Sequence, residues 1–459
     1  VLPAIGRAAN QLADTRRIRL ATPPILIGRS TMTELSKLPY FHVVGIGAGP
    51  ANLSLAALFQ SCRDAKIALF DKASGSSWHS SLLHPGVRMQ TSWIKDLVSL
   101  VDPTHQLSFL NYLVTEGRLF AMLNSQFDVI PRGEYMRYLA WAAGQIDNIH
   151  YDSPIDEVNF VEGEGFYAIS GGAPIARSEH LVIGVGTRPS IPVGLADLPE
   201  DRSFIADHLA MHLPAMSVDK AAPVAVVGGG QTGVEAVLRL LSAGFTNIKW
   251  LGRRQWFQTI DDSPAANDIY RPAHQQFLQG LSRSTRKRLI EEANATGDAL
   301  TPGALRTLYQ ANYDGMLANG MFPVSLLPGR DVTEGVLDDG SSGDLVLHCT
   351  TPETLEEYRV KYAVIAVGRQ SAPVPLSADL RERIDVDEDG DIIIDEDYSV
   401  RWKGMNGHRI YALNRARFSH GIPDANLTLL PVRAALVINS MLGREVFAIR
   451  DELCPVQWG

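Results

Sequence analysis

Cysteine is scarce in this 459-residue chain, and the three present, Cys62, Cys349 and Cys454, stand far apart. Neither a disulfide framework nor a zinc-binding spacing can be built from them, and no closely spaced redox pair exists. That usage fits a reducing, cytoplasmic setting. Long apolar runs are missing as well. No stretch approaches the ~18 apolar residues needed to cross a bilayer, and no charged start, apolar core and small-residue cleavage site mark a secretory signal. Positive charge is not in excess either: the formal charge is -9, which gives no general attraction to nucleic acid or anionic lipid. What remains is 45% apolar and 20% charged residues with Gly and Pro scattered throughout, the composition of a water-soluble α/β protein of two or three domains.

The opening residues carry Arg7, Arg16, Arg17 and Arg19 with weak periodicity, while Met32 begins a more ordinary start, MTELSKLPYF. Residues 1–38 therefore read as an extension, with an upstream or non-native segment up to 31; the rival reading is an Arg-rich targeting peptide. From Tyr40 the grammar becomes regular. YFHVVGI is an apolar strand ending in glycine, GPANLSLAALFQSC has helical spacing, and KIALFDK is a second strand ending at Asp71; this is the size of a βαβ unit. The pattern returns as APVAVVGGG, QTGVEAVLRLLSAG and NIKWLGRR over 222–254. HLVIGVGTRPSIP (180–192) and YAVIAVGRQ (362–370) look like strands whose ends expose backbone to a ligand, and 261–325 reads as a helical insertion. The acidic run DVDEDGDIIIDEDYSV (385–400) lacks the ligand order of a calcium loop and is expected to be a solvated hairpin, so no metal is expected.

Both glycine turns suit a dinucleotide. In GIGAGPAN, Gly45 permits the tight turn and Gly47 lets the backbone approach a pyrophosphate at the positive end of the following helix. Pro50 replaces the usual third glycine, Asn52 follows inside the helix, and Asp71 stands where an acid accepts ribose hydroxyls. The second turn is a regular GxGxxG with Gly228, Gly230 and Gly233, and Gln231 opens its helix. Its second strand ends in Arg253 and Arg254 rather than an acid, which favours the 2′-phosphate of NADPH over NADH; the bland reading is two solvated arginines. Two turns on one chain point to hydride passing from NADPH to a bound FAD. The expected fold is α/β, with two Rossmann-like domains and a smaller helical insertion. The FAD domain is expected over 39–210 and 361–450, the NADPH domain over 211–260 and 326–360.

With no cysteine pair, disulfide reduction is excluded, which leaves reaction with oxygen or transfer to another acceptor. The stretch from Ser76 to Leu113 containing MQTSWIKDLVSLVDPT, together with GIGAGPANLSLAAL, VVGGGQTGVEA, DDSPAAND and FSHGIPDANLTLLPVRAA, resembles the microbial N-hydroxylating monooxygenases, the lysine, ornithine and diamine N-hydroxylases of hydroxamate siderophore synthesis. The resemblance implies that NADPH reduces FAD, oxygen adds to give a hydroperoxyflavin, and the substrate's primary amine takes the distal oxygen. The amine must be neutral to attack, although a free alkylamine has a pKa of about 10.4, so a water-excluding site is needed.

Carried over by position, the resemblance places Gln90 beside the flavin ring and Trp78 and His79 along the FAD site. It gives Lys95 and Asn267 the grip on an amino-acid carboxylate, and it puts Leu427 and Thr428 where amine meets flavin. It also implies a homo-oligomer, a dimer or tetramer. Two departures stand out. The chain reads Ala366, Val367, Gly368, Arg369 where the family often ends a strand in Ala-Thr-Gly-Tyr, leaving Arg369 to meet a phosphate or solvent. ATGDALTPGALRTLY lacks the Asn-Tyr pair of ornithine-type members, which moves the expected substrate toward lysine, cadaverine or putrescine. Ornithine hydroxylation, a Baeyer-Villiger or sulfur-oxidising monooxygenase, and a nucleotide sensor without turnover are the alternatives.

Overall fold

The computed structural model describes residues 35–458 apart from 77, 80, 82, 84, 85, 128, 339–342, 405, 451 and 452. The segment read as an N-terminal extension lies, up to residue 34, outside the described residues. Its end is no appendage: Leu35 is fully buried against Val161, Tyr167 and Ile169.

Two sheets organise the chain. The first has seven strands. The strand Tyr40–Ile46 lies between Ile67–Phe70 and Ala173–Ile183, parallel to both, so that Gly45 faces Leu69 on one side and Val182 on the other. Ile410–Ala412 joins the far edge of Ala173–Ile183, again in parallel. The helix Pro50–Phe59 is buried at all ten positions, as expected of PANLSLAALF, which has no polar face; the C-terminal helix Leu430–Leu442 packs against it. This apolar sandwich fixes the carboxyl ends of the central strands, where a βαβ unit binds its ligand.

The second sheet is wholly parallel, in the order Val324–Pro328, Ile248–Gly252, Val224–Val227, Tyr362–Ile365, Ser203–Ile205. Its strands are near-continuous apolar runs because both faces are covered. The helix Gln231–Ser242 contributes to one face, and the antiparallel meander Asp331–Leu337, Leu345–Thr350, Leu355–Val360 packs on the other. Here the expected domain limits need correction. Tyr362–Ile365 and Ser203–Ile205, both assigned from sequence to the FAD half, complete the second sheet. An apolar strand flanked by glycine looks the same in either sheet, and only its pairing decides. The chain crosses between the halves at two places, which meet as a short antiparallel ribbon of Thr187–Pro189 and Arg369–Ser371.

The helical insertion is present, as the helices Pro264–Asn267, Pro272–Gln279, Arg283–Glu292 and Pro302–Asn319 with short 3-10 turns between them. The last and longest starts on a Pro at its first turn and stops at Gly320 in the left-handed region, φ 76°, the expected asymmetry of helix ends. Its boundary shifts too, because Val324 and Ser325 already belong to the parallel sheet. In the acidic run 385–400 the paired positions are isolated bridges, Val386 with Ile392 and Ile394 with Val400. Arg283 reaches across from the insertion to Asp387 and Asp389. No metal-binding cluster and no helix long and apolar enough to cross a membrane occur among the described residues.

His180 and His274 are buried, and burial pushes each down to about 4. Unfolding therefore takes up protons below about 6.5 that the folded chain refuses, up to about 3 kcal/mol per fully buried ring. Stability is full above pH 6.5 and lost progressively as pH falls toward 4. The thermal midpoint should drop steadily from pH 7 to pH 5; a flat profile would contradict this.

Candidate active site

The first glycine turn is fitted to a ligand by backbone geometry. Gly47 has φ 93°, and a Cβ there would lie 2.5 Å from the carbonyl oxygen of Gly184, so no other residue fits without moving the strand beside it. The buried Asn52 locks the turn from inside the helix, its Nδ2 donating to the carbonyls of Ile46 (3.1 Å) and Gly47 (2.7 Å). Its Oδ1 is buried without a hydrogen-bond partner. Gly49 caps the helix and Pro50 begins it, with no side-chain cap on the first turn, which leaves that positive end to an anion. Asp71 accepts from Ala48 N (2.6 Å) through Oδ2 and from Ala73 N (2.8 Å) through Oδ1. Each oxygen keeps a second lone pair for a ribose hydroxyl. The residues present therefore fit FAD.

The second turn is built alike. Gly228 has φ 129°, a Cβ there would meet Ala366 O at 2.1 Å, and Trp250 Nε1 donates to its carbonyl at 2.9 Å. Gly233 packs on Gly228, and Gly230 caps the helix without a side-chain bond. A groove of about 700 Å³ runs past this turn, with Gln231, Arg253, Arg254, Arg330 and Arg369 in its walls, a cationic lining suited to the phosphates of NADPH. The four arginines are not equivalent. Arg254 donates to the carbonyl of Asp298 at 2.9 Å, and Arg330 pairs with Glu356 at 3.1 Å. Arg369 is held by Thr187 and by Asp207 at 3.0 Å, so it neither meets solvent alone nor stands uncompensated for a phosphate. Arg253 is exposed and has no ion-pair partner among the described residues. We predict that Arg253→Ala weakens NADPH more than NADH by roughly 1 to 3 kcal/mol; equal losses in titrations with the two nucleotides would contradict it.

A second cavity of about 240 Å³ opens beside the groove, and Gln90, Gln231 and Thr232 line both. Trp78, His79 and Leu427 stand in its walls with Arg132, Glu235 and Asn426. The structure thus brings Trp78, His79, Gln90, Gln231 and Leu427 together from four separate places in the sequence. Burial, with the charges of Arg132 and Arg369 behind it, pushes His79 down to about 4, so its ring is neutral at physiological pH.

The block MQTSWIKDLVSLVDPT owes its rigidity to Asp96. That buried carboxylate accepts from the amides of Val98 (2.9 Å), Ser99 (2.7 Å) and Phe109 (2.7 Å) and from the Ser99 hydroxyl (2.7 Å). Ser54, in the first nucleotide helix, donates to Leu97 O at 2.6 Å. Gln90 and Lys95 are therefore carried on a segment tied to the core. Lys95 stands over the ring of Tyr270, 5.7 Å from its centroid, and burial pulls its ammonium below the ordinary range. Asn267 is three residues from Tyr270 on the same short helical segment; its amide donates to the carbonyls of Asp262 and Ser263. Neither Lys95 nor Asn267 is in the walls of either cavity.

Thr428 stands just behind the wall formed by its neighbours Asn426 and Leu427. It is buried, absent from both cavity walls, and its amide (2.8 Å) and hydroxyl (2.7 Å) both donate to Asn426 Oδ1. These bonds fix the turn, and Asn426 and Leu427 are the residues of this segment in the cavity wall.

A profile of the L-lysine 6-monooxygenase/L-ornithine 5-monooxygenase family matches residues 39–371. The chain belongs to that family. It is 27% identical over 419 residues to the L-lysine N6-monooxygenase of Escherichia coli, covering 90% of this chain and 97% of that one. It is 28% identical over 425 residues to a putrescine N-hydroxylase of Acinetobacter baumannii, with 90% and 92% covered. In fold it is similar to an FAD-bound cadaverine monooxygenase of the desferrioxamine pathway from Erwinia amylovora, with a TM-score of 0.83 at 22% identity, covering 91% of this chain and 99% of that chain.

Three features of this monooxygenase were not visible in its sequence. Arg330 joins the groove, and Arg132 and Glu235 wall the cavity as a bidentate ion pair with contacts of 2.9 and 2.8 Å. Arg433 and Asp424 form a fully buried pair behind Asn426. Arg132 with Glu235 and Arg330 with Glu356 are pairings of ordinary charged residues that no local motif announces; Arg433 and Asp424 both lie within FSHGIPDANLTLLPVRAA, but the string does not say that they pair in the interior.

Proposed function

We propose that this enzyme N-hydroxylates the terminal primary amine of L-lysine, or of a diamine such as cadaverine or putrescine, for hydroxamate siderophore assembly. Its cofactors are FAD and NADPH. Bound FAD supplies the redox chemistry, accepting two electrons from NADPH and passing them to O2. The balance is one amine, one O2, one NADPH and one proton giving one hydroxylamine, one water and NADP+. The chain's residues bind and orient: the Gly45–Asp71 unit holds FAD, and the Gly228–Gly233 turn with Arg253 holds NADPH. Gln90 sits where groove and cavity meet. Trp78 and Leu427 supply apolar wall, which disfavours an ammonium and so helps keep an entering amine neutral, while the Arg132 charge is compensated by Glu235.

Lys95 carries the choice of lysine. It is a half-buried cation against an aromatic face with no ion-pair partner among the described residues, a group suited to a substrate carboxylate, which cadaverine and putrescine lack. Lys95→Met should raise the KM for lysine at least about tenfold, the loss of one charge-assisted contact, and leave that for cadaverine within about twofold. Turnover of cadaverine or putrescine alone, with lysine giving no hydroxylamine, would assign the diamine instead. A homo-oligomeric state is part of the same reading, tested by light scattering on the purified enzyme.

A further inference from the structure

Arg132 begins the helix Arg132–Ala143 of the first half, and its amide donates to Val87 O at 3.1 Å, immediately before the segment carrying Gln90. Glu235 lies on Gln231–Ser242, the helix that starts at the second glycine turn. The two side chains meet as a fork, Nη1 to Oε2 at 2.9 Å and Nη2 to Oε1 at 2.8 Å, with 12% and 7% of their side chains exposed. Gln231 Nε2 donates to the same Oε1 at 2.9 Å, while Gln231 Oε1 accepts from Thr301 N at 2.8 Å, at the start of the insertion's longest helix. One carboxylate thus joins the first half, the second half and the insertion. It does so on the wall of the cavity that meets the NADPH groove.

We propose that Glu235 is a positioning residue which, through Arg132 and Gln231, holds the NADPH-binding half in register with the flavin-side cavity. Only the two crossing segments of the ribbon link the sheets covalently, so the register depends on contacts such as this one. A slipped register within the closed interface would leave two buried charges unpaired, whereas the aligned one makes both bonds of the fork. The pair selects the aligned arrangement. The inference rests on the FAD and NADPH sites of the preceding reading but not on the identity of the amine.

The test uses the FAD-loaded enzyme without amine and without oxygen. In Glu235→Gln and in Arg132→Lys, which keeps the charge but loses the fork, flavin reduction at saturating NADPH should slow at least about tenfold while the NADPH dissociation constant changes less than about threefold. Hydrogen exchange should rise in 130–135 and 231–240 in both variants. The exchanged pair Arg132→Glu/Glu235→Arg should return exchange toward the parent. Reduction within twofold of the parent in both single variants, or exchange unchanged in both, would overturn the proposal. Because no amine is present, a parent enzyme that reduces normally yet hydroxylates nothing would refute the functional reading and leave this one standing.

Discussion

Gly47→Ala is expected to give a protein that emerges from purification colourless, with FAD affinity reduced by more than a hundredfold. An alanine at φ 93° holds a conformation that costs an L-residue about 1 to 3 kcal/mol, and its methyl would overlap Gly184 O at 2.5 Å. Relief requires the turn to withdraw from the strand Ala173–Ile183, which opens the loop that would receive the pyrophosphate. Asn52 makes this worse, because its amide bonds to Ile46 and Gly47 resist the shift. Absorbance near 450 nm per mole of protein, with and without added FAD, reads the outcome. A normally yellow protein would contradict the assignment of this turn.

Arg433→Met should be the most damaging change away from either nucleotide turn. Arg433 and Asp424 are 1% and 0% exposed and pair at 3.6 Å. Arg433 also donates to Asn426 O at 3.1 Å and Pro423 O at 3.3 Å, and bonds to Asn414. Asp424 Oδ2 accepts from Ala416 N at 2.7 Å. Removing the cation strands a buried carboxylate, which costs about 3 to 5 kcal/mol, and it releases the turn that presents Asn426 and Leu427 to the cavity. Denaturant unfolding should show a loss in that range, with hydroxylation falling further than NADPH-driven flavin reduction. Asp424→Leu combined with Arg433→Met should lose less than the sum of the single changes, since neither charge is then left alone.

What could be read from the sequence was local. The two turns are legible because strand, glycine and helix follow within thirty residues, and because glycine there answers a steric demand that the structure makes explicit at Gly47 and Gly228. Asp71 and Arg253 are legible by their distance from those turns. Lys95 and Gln90 came from a likeness whose physical basis, the four donors around Asp96, is invisible without coordinates. The likeness names Leu427 and Thr428 but not Asn426, which stands with Leu427 in the cavity wall because the turn folds its side chain back onto Thr428. The strands Ser203–Ile205 and Tyr362–Ile365 went to the wrong half because an apolar run carries no label for its partner. Arg132 and Glu235, 103 residues apart, illustrate the remaining limit: coupling between halves lives in pairings that composition and periodicity do not encode.

The account turns on amine-dependent oxygen insertion, and the stoichiometry of hydroxylamine to NADPH tests it most directly. With L-lysine, cadaverine and putrescine supplied separately under air, at least one amine should give close to one hydroxylamine per NADPH oxidised, with little hydrogen peroxide. Oxidation of NADPH that yields only peroxide with all three would contradict the central claim.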